Sequence, residues 1–322
     1  MKTDLLSAVD AAQSIAVAGH TRPDGDCIGA VLGLYNYIED NYPGKRVTAF
    51  LEPIPDCFGY LRYSDLIRSS AEEDEAFDLL VVLDTSDAER IGATCVSDLF
   101  RRTENTFVID HHISNSGEGR VNVTEPYASS ACEVLFTLFD EDRISDECAK
   151  CLFTGIVTDT GCFRHPNTGR RTMEIAGKLL EHDIDSPRLI DEVFYEKTYV
   201  QNQLMGECLV RSRLVCGGRY IYSYADLKLL REKGAAASDL EGVVNQLRVT
   251  KGVEAAVMMT EIGHSTWKVS LRSNGKIDVN AAANAFGGGG HKMAAGCEAK
   301  GDPDSIMEKL ARLFEEQMTG DR

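Results

Sequence analysis

Short apolar runs that each end on an acid or a histidine fill the first half of this 322-residue chain, and they restrict its fold more than any other feature. IAVAG leads into His20, Asp24 and Asp26, LLVVL into Asp84, and TFVI into Asp110, His111 and His112. Runs this short and this apolar, separated by amphipathic stretches, are expected of parallel strands buried on both faces in βαβ units. The predicted strands are IAVAGH, RVTAFLE, LLVVLDT and TFVIDHH, while IGAVLGLYNYIED and SSACEVLFTLFDED repeat apolar residues at helical spacing. A third helical stretch, from about Asp146 into GIVTD, delivers Asp159 at its far end. In an open α/β sheet the carboxyl ends of the strands share one edge, so residues remote in sequence converge there.

The length exceeds that of one usual domain, which predicts two cores. The expected fold class is α/β: residues 1–182 form a mainly parallel sheet with flanking helices. After Arg171 the segments MEIAGKLLEH, SPRLIDEVFYEK and YVQNQLMGECLVRSRL read as successive helices, and 183–215 reads as a helical connector. From 216 to 322 the strand-like RYIYSYA, VEAAVMMTEI and WKVSLRS, then a final amphipathic helix, predict a smaller α+β domain. Lys plus Arg number 34 against 51 Asp plus Glu, a formal net charge of -17, and that balance repels long duplex nucleic acid. The opening MKTDLLSAVDAAQS lacks the apolar core of a signal peptide and no later stretch has the length of a membrane span, so a cytoplasmic protein away from membranes is expected. Ten cysteines scattered through core-like segments fit a reducing compartment, and Cys148-Ala-Lys-Cys151 has no companion ligands at zinc spacing.

Acids at a helix start are favoured by its unpaired N–H groups, so Asp24 or Asp26 alone could be a cap. Capping has no use for His20 at the strand end, nor for two acids in alternate positions. Asp84 alone could simply begin a turn. Asp110, His111 and His112 directly after an apolar strand would be desolvated at a cost unless they bind something. Mixed imidazole and carboxylate donors suit octahedral divalent ions, Mn²⁺ better than Mg²⁺. Two such ions sharing a bridging carboxylate serve in-line attack of water on phosphorus. In the second half, Gly287 to Gly290 followed by His291 could bring backbone N–H groups close to a phosphate, with a following helix N-terminus adding favourable polarity. Arg272 in WKVSLRS and Arg164 in CFRHPNT suit bidentate phosphate contact, although either could equally be a solvated charge.

His-x-x-x-Asp-x-Asp, the isolated strand-end Asp84, the DHH tripeptide, Asp159 and the later GGGGH together resemble the DHH family of phosphoesterases, in order and over nearly the whole chain. Within that family the chain resembles the short two-domain nanoRNases that also act as pAp phosphatases. The resemblance implies that His20, Asp24 and Asp84 hold one ion and that Asp26, Asp84, His111 and Asp159 hold the other. It implies that Asp110 orients a ligand histidine and that His112 lies near the scissile phosphate. The sequence itself does not say which of the adjacent histidines is ligand and which is catalyst. It further implies that Arg272, His291 and the tract Gly288, Gly289 and Gly290 bind the phosphate and nucleotide end, across a cleft that admits a few nucleotides.

The expected activity is that of a Mn²⁺-dependent phosphoesterase that degrades very short oligoribonucleotides to mononucleotides and dephosphorylates 3'-phosphoadenosine 5'-phosphate to AMP. Two rivals are a phosphodiesterase of linear or cyclic dinucleotides such as pApA or c-di-AMP, and a non-catalytic nucleotide sensor on the same fold. A homodimer is open to such a chain, but no residue specifies its surface.

Overall fold

The structure, a computed structural model, describes residues 2–320. It divides into two compact units, one ending at Glu196 and the other starting at Lys197. The first unit is built on a five-stranded, wholly parallel sheet of β1 (Ser14–Ala18), β2 (Arg46–Phe50), β3 (Leu79–Leu83), β4 (Thr106–Asp110) and β5 (Val121–Thr124), in the order β2-β1-β3-β4-β5. The chain steps outward from β1 to β2 and then returns to the other side of β1 to lay down β3. That reversal places the switch point of the sheet between β1 and β3, where ligands of open α/β sheets bind.

Its helices are α1 (Lys2–Ala11), α2 (Gly25–Asn41), α3 (Val96–Arg102), α4 (Ala131–Leu138), α5 (Asp146–Asp159), α6 (Arg170–Leu179) and α7 (Ser186–Ile190). Strand residues alternate between two apolar layers. Ile15, Val17, Val81 and Ile109 pack with residues of α2, α4 and α5, whereas Ala16, Ala18, Leu80 and Val82 pack with Val96 and Leu99 of α3. Burial on both faces is what made these strands legible as unbroken apolar runs. Helix α2 lies directly against α5: a Cβ on Gly29 would fall 2.5 Å from the Cys151 carbonyl oxygen. This close approach fixes the end of α5, and with it Asp159, beside the start of α2.

The second unit is a six-stranded sheet ordered β10-β11-β9-β8-β7-β6, made of β6 (Arg213–Val215), β7 (Tyr220–Ala225), β8 (Ala255–Gly263), β9 (Thr266–Ser273), β10 (Gly289–His291) and β11 (Ala294–Lys300). Only the β7–β8 pair among these is parallel. Helices α8 (Tyr199–Arg211), α9 (Leu227–Lys233) and α10 (Val243–Arg248) cover one face, and α11 (Val279–Asn284) and α12 (Pro303–Gly320) cover the other.

The stretch 183–215, expected as a connector, is shared between the two units. Leu189 belongs to the core of the first, and Leu204 and Cys208 to a core of the second. The glycine tract also departs from expectation, because no helix follows it: α11 precedes it, Gly289 to His291 form β10, and β11 comes next. Gly, Ala and Cys carry too little apolar surface for either strand to stand out in the sequence.

Candidate metal centre

At the carboxyl edge of the parallel sheet β1 ends at Ala18, and α2 begins after the His20–Asp24 turn. Asp24 does cap α2, its Oδ1 accepting the N–H groups of Asp26 and Cys27 at 3.1 Å each. Asp26 is buried and turned the other way: its carboxylate accepts the N–H groups of Ala131 at 2.6 Å and Cys132 at 3.0 Å, the first residues of α4. Asp84 follows β3 in a left-handed backbone conformation, φ 53°, which Asp tolerates better than most residues.

The histidines are held by one ring nitrogen and aim the other at carboxylates. A carbonyl only accepts, so Nδ1 of His20 donates to the Thr21 oxygen at 2.8 Å, and Nδ1 of His111 to the Ala128 oxygen at 3.3 Å. Nε2 of His20 then faces Asp84 Oδ2 at 3.4 Å and Asp24 Oδ1 at 3.7 Å. Nε2 of His111 faces Asp84 Oδ1 at 3.5 Å, Asp159 Oδ2 at 3.7 Å and Asp26 Oδ2 at 3.9 Å. His112 is arranged differently, with Nδ1 donating to Asp110 Oδ1 at 2.7 Å. Asp110, fully buried at the end of β4, also accepts the His111 N–H at 2.8 Å and the Asn115 side-chain amide at 2.7 Å.

The ring lone pairs and carboxylate oxygens thus point at one another across distances too long for good hydrogen bonds. Asp84 Oδ1 is buried and makes no hydrogen bond among the described residues. Only positive charge stabilises such a cluster, and the protonation tendencies follow. Burial, then the charges of Asp84 and Asp159, raise the Asp26 carboxyl well above its usual range. Burial pushes Asp159 up to about 6, with Asp84 and Asp24 adding to it against the pull of His111. Burial opposes a charge on His111, but Asp84, Asp26 and Asp159 outweigh it and push the ring up to about 10. Burial likewise opposes ionisation of Asp84, yet the nearby His111 and His20 rings hold it below the ordinary carboxylate range. Divalent cations would do what those protons do. Three overlapping donor clusters meet the need: His20 with Cys27 and Asp84, Asp84 with His111 and His112, and Asp26 with His111 and Asp159. The imidazole and carboxylate chemistry fits divalent ions of the first transition row.

In the second unit, Arg272 and His291 both pair with Ala294, from β9 and β10 on either side of β11. The register therefore sets their side chains on one face of the sheet, two strand spacings or about 10 Å apart. Arg272 is half-buried and donates to Asn245 Oδ1 at 3.2 Å and the Leu271 carbonyl at 3.0 Å, both neutral acceptors. Burial, then the charge of Arg248, lowers its pKa. His291 is exposed. The glycines serve the sheet itself, since a Cβ on Gly288 would lie 2.2 Å from the Gly296 oxygen, and one on Gly290 would lie 2.6 Å from Ala294 oxygen. Gly289 has room, its nearest neighbour being Asn284 Oδ1 at 3.7 Å, and Gly287 has space as well but holds a left-handed φ of 75°. Arg164 sits exposed in the turn after Asp159, where His165 Nδ1 donates to the Asp159 carbonyl at 3.2 Å and Asn167 Nδ2 to the Asp159 carboxylate at 3.4 Å.

Residues 14–156 match the model of the DHH family, N-terminal domain, and residues 217–319 match that of the DHHA1 domain. This chain belongs to the DHH family. Among its DHH relatives is the bifunctional oligoribonuclease and PAP phosphatase NrnA of Bacillus subtilis, 28% identical over 331 residues, covering 98% of this chain and 99% of that one. The cyclic-di-AMP phosphodiesterase GdpP of Geobacillus thermodenitrificans is 24% identical over 313 residues, covering 91% of this chain but 46% of that protein. A crystal structure of an exopolyphosphatase-related protein from Bacteroides fragilis superposes with a TM-score of 0.85 at 27% identity, covering 98% of this chain and 95% of that chain.

The first unit brings together every residue expected at the centre: His20, Asp24, Asp26, Asp84, Asp110, His111, His112 and Asp159. One detail differs from expectation, because Asp110 orients the ring of His112 and not that of His111, which leans on Ala128. Several participants went unforeseen. Cys27 looked like apolar filling. Asn115 bridges Asp110 and the Thr85 carbonyl, the latter at 3.0 Å. Glu133, buried, accepts from Ser129 Oγ at 2.6 Å, Thr172 Oγ1 at 2.7 Å and Arg171 Nε at 2.6 Å, and so steadies the loop whose Ala128 carbonyl holds His111. Nothing in their spacing marks Asn115 or Glu133; only the fold does.

Proposed function

We propose that this chain is a two-metal phosphohydrolase that degrades very short oligoribonucleotides to mononucleotides and dephosphorylates 3'-phosphoadenosine 5'-phosphate. The observation that carries the reading is the set of imidazole nitrogens and carboxylate oxygens gathered around Asp84 at the switch point of the sheet, with one buried Asp84 oxygen lacking a hydrogen bond among the described residues. In this reading His20, Asp24 and Asp84 hold one divalent ion and Asp26, Asp84, His111 and Asp159 the other, Mn²⁺ being the expected occupant. Asp84 is suited to both because its two oxygens face opposite ways, Oδ2 toward His20 and Oδ1 toward His111. When bound, such ions supply Lewis-acid activation of the phosphoester and of water.

The chain's own residues would do the rest. His112, outside the two ligand sets, has its Nδ1 proton fixed by Asp110, which leaves Nε2 to hydrogen-bond a phosphoryl oxygen or to protonate the departing one. The Asp110 hydrogen bond raises the His112 pKa against partial burial, which favours the acid form. Arg272 and His291, on one sheet face of the DHHA1 domain, are the proposed holders of the nucleotide's phosphate end, and Arg164 is a further candidate. Arg272 suits an anion because neither of its described acceptors neutralises it.

The near end-to-end match with the bifunctional oligoribonuclease and PAP phosphatase favours this substrate class. The match with a cyclic-di-AMP phosphodiesterase, which covers less than half of that protein, supports a second reading as a phosphodiesterase of pApA or c-di-AMP. Initial rates of metal-stripped protein given Mn²⁺ would be measured on pAp, a 5'-phosphorylated RNA dinucleotide, a long RNA, pApA, c-di-AMP and pyrophosphate. Fast turnover of pAp and the dinucleotide alone is the expected result. Preference for pApA or c-di-AMP would replace the first reading with the second, and no turnover on any of them would leave a nucleotide sensor.

A further inference from the structure

We infer that Cys27 is a sulfur donor to the ion held by His20 and Asp84, so that this half of the centre favours softer divalent ions such as Zn²⁺, Fe²⁺ or Co²⁺ over Mn²⁺ more strongly than its nitrogen and oxygen donors alone would, while still accepting Mn²⁺. The inference rests on the metal-centre reading above and adds a ligand to it. Cys27 is the third residue of α2 and is fully buried. Its Sγ, the ligand nitrogen of His20 and a carboxylate oxygen of Asp84 all lie within 4.8 Å of one another. The other buried cysteines of this unit meet different company. Cys148 donates to the Gly33 carbonyl at 3.3 Å, Cys132 to the Asp26 carbonyl at 3.6 Å, and Cys151 accepts from Asn36 at 3.7 Å. Cys27 alone among them has an imidazole nitrogen and a carboxylate together as neighbours.

The local backbone is shaped around this thiol. A Cβ on Gly19 would fall 2.2 Å from Cys27 Sγ, so the strand end leaves the sulfur a place that any larger residue would take. The Asp84 carboxylate that closes the cluster is 2% exposed, and its Oδ2 stands 3.4 Å from His20 Nε2, too far for a good hydrogen bond and open to a cation between them. Thiolate is a soft ligand, and its addition to an imidazole and a carboxylate moves the preference of a site from Mn²⁺ toward Zn²⁺. Binding forms a sulfur–metal bond and releases the thiol proton to solvent.

Co²⁺ added to the metal-stripped full chain reports the donor set by absorption, independently of turnover. Wild type is expected to develop a near-ultraviolet thiolate-to-cobalt band along with the visible d–d bands. Cys27→Ser and Cys27→Ala are expected to keep d–d bands and lose the thiolate band, while Cys132→Ala keeps both. The preference for Zn²⁺ over Mn²⁺ in competition titrations should fall roughly tenfold or more in the Cys27 variants. Should those variants fail to fold, X-ray absorption of the zinc-loaded wild type decides, with one sulfur expected at about 2.3 Å beside nitrogen and oxygen at about 2.0–2.1 Å. Bound metal surrounded only by nitrogen and oxygen, or a thiolate band that survives Cys27→Ala, overturns the inference and leaves the phosphohydrolase reading standing. Failure of wild type to bind any of these ions would overturn both.

Discussion

Asp84→Asn removes one negative charge from the middle of the centre while changing almost nothing else. Asparagine has the same shape and is, with aspartate, the side chain most at ease at the φ of 53° found there. Alanine is not, and placing it in a left-handed conformation adds about 1–2 kcal/mol of backbone cost. Comparing Asp84→Asn with Asp84→Ala therefore separates charge from backbone. The charge is the larger matter. The Asp84 oxygens lie 3.4 Å from His20 Nε2 and 3.5 Å from His111 Nε2, so an ion among them is close to the carboxylate. Two unit charges about 4 Å apart, screened as in proteins, attract by about 4 kcal/mol, so against a divalent ion that figure is a lower bound. That is about three orders of magnitude in binding. At a metal concentration one hundred times the wild-type Kd, wild type gains about 2.7 kcal/mol of stability, whereas a Kd weakened a thousandfold leaves about 0.1 kcal/mol or less. Thermal unfolding with and without Mn²⁺, run beside turnover of pAp, tests this directly. Asp84→Asn should lose the metal-dependent rise in Tm together with about a thousandfold in rate, and Asp84→Ala should add a lower metal-free Tm. An Asp84→Asn protein that kept the wild-type metal-dependent rise and a rate within about tenfold of wild type would refute the electrostatic reasoning.

Asp110→Asn should lower kcat by about 10- to 100-fold with little change in KM, and move the alkaline limb of the pH–rate profile to lower pH, because Asp110 raises the His112 pKa; an unmoved limb would detach this pair from catalysis. Glu133→Gln should cost about 3 kcal/mol by leaving Arg171 and two hydroxyls short of a buried charged acceptor. Burial opposes ionisation of Glu133, but bonds from Ser129, Thr172 and Arg171 hold its carboxyl below the usual value. Its stabilisation is thus present above about pH 4.3 and lost as pH falls through the depressed value, so the Tm gap between wild type and Glu133→Gln should narrow on acidification. Gly288→Ala should destabilise the second unit by about 1–3 kcal/mol by overpacking, whereas Gly289→Ala should leave Tm unchanged; equal Tm values for the two would show that β10 yields to the added methyl.

Strands β1, β3 and β4 were legible because both faces of each are buried, and an unbroken apolar run is what such burial requires. The acids and histidines were legible for a related reason: polar groups at the ends of such runs have nowhere to go but the sheet edge. What stayed hidden depended on pairings across long stretches of chain. Asp26 anchors Ala131 and Cys132 at the start of α4, and no local pattern around Asp26 announces that. Glu133 reads as an ordinary acid in the first turn of a helix, and its burial becomes visible only once α6 brings Arg171 and Thr172 to it. Strands β10 and β11 consist of small residues whose extended form comes from pairing with each other and with β9.

The packing of the glycine tract changes how variation among relatives should be read. Gly288 and Gly290 are required by the approach of β11, so selection for folding alone would preserve them in a descendant that had lost its substrate altogether. Gly289 carries no such burden. Drift at that one position, with its neighbours held constant, would be the evolutionary trace of a binding face falling out of use.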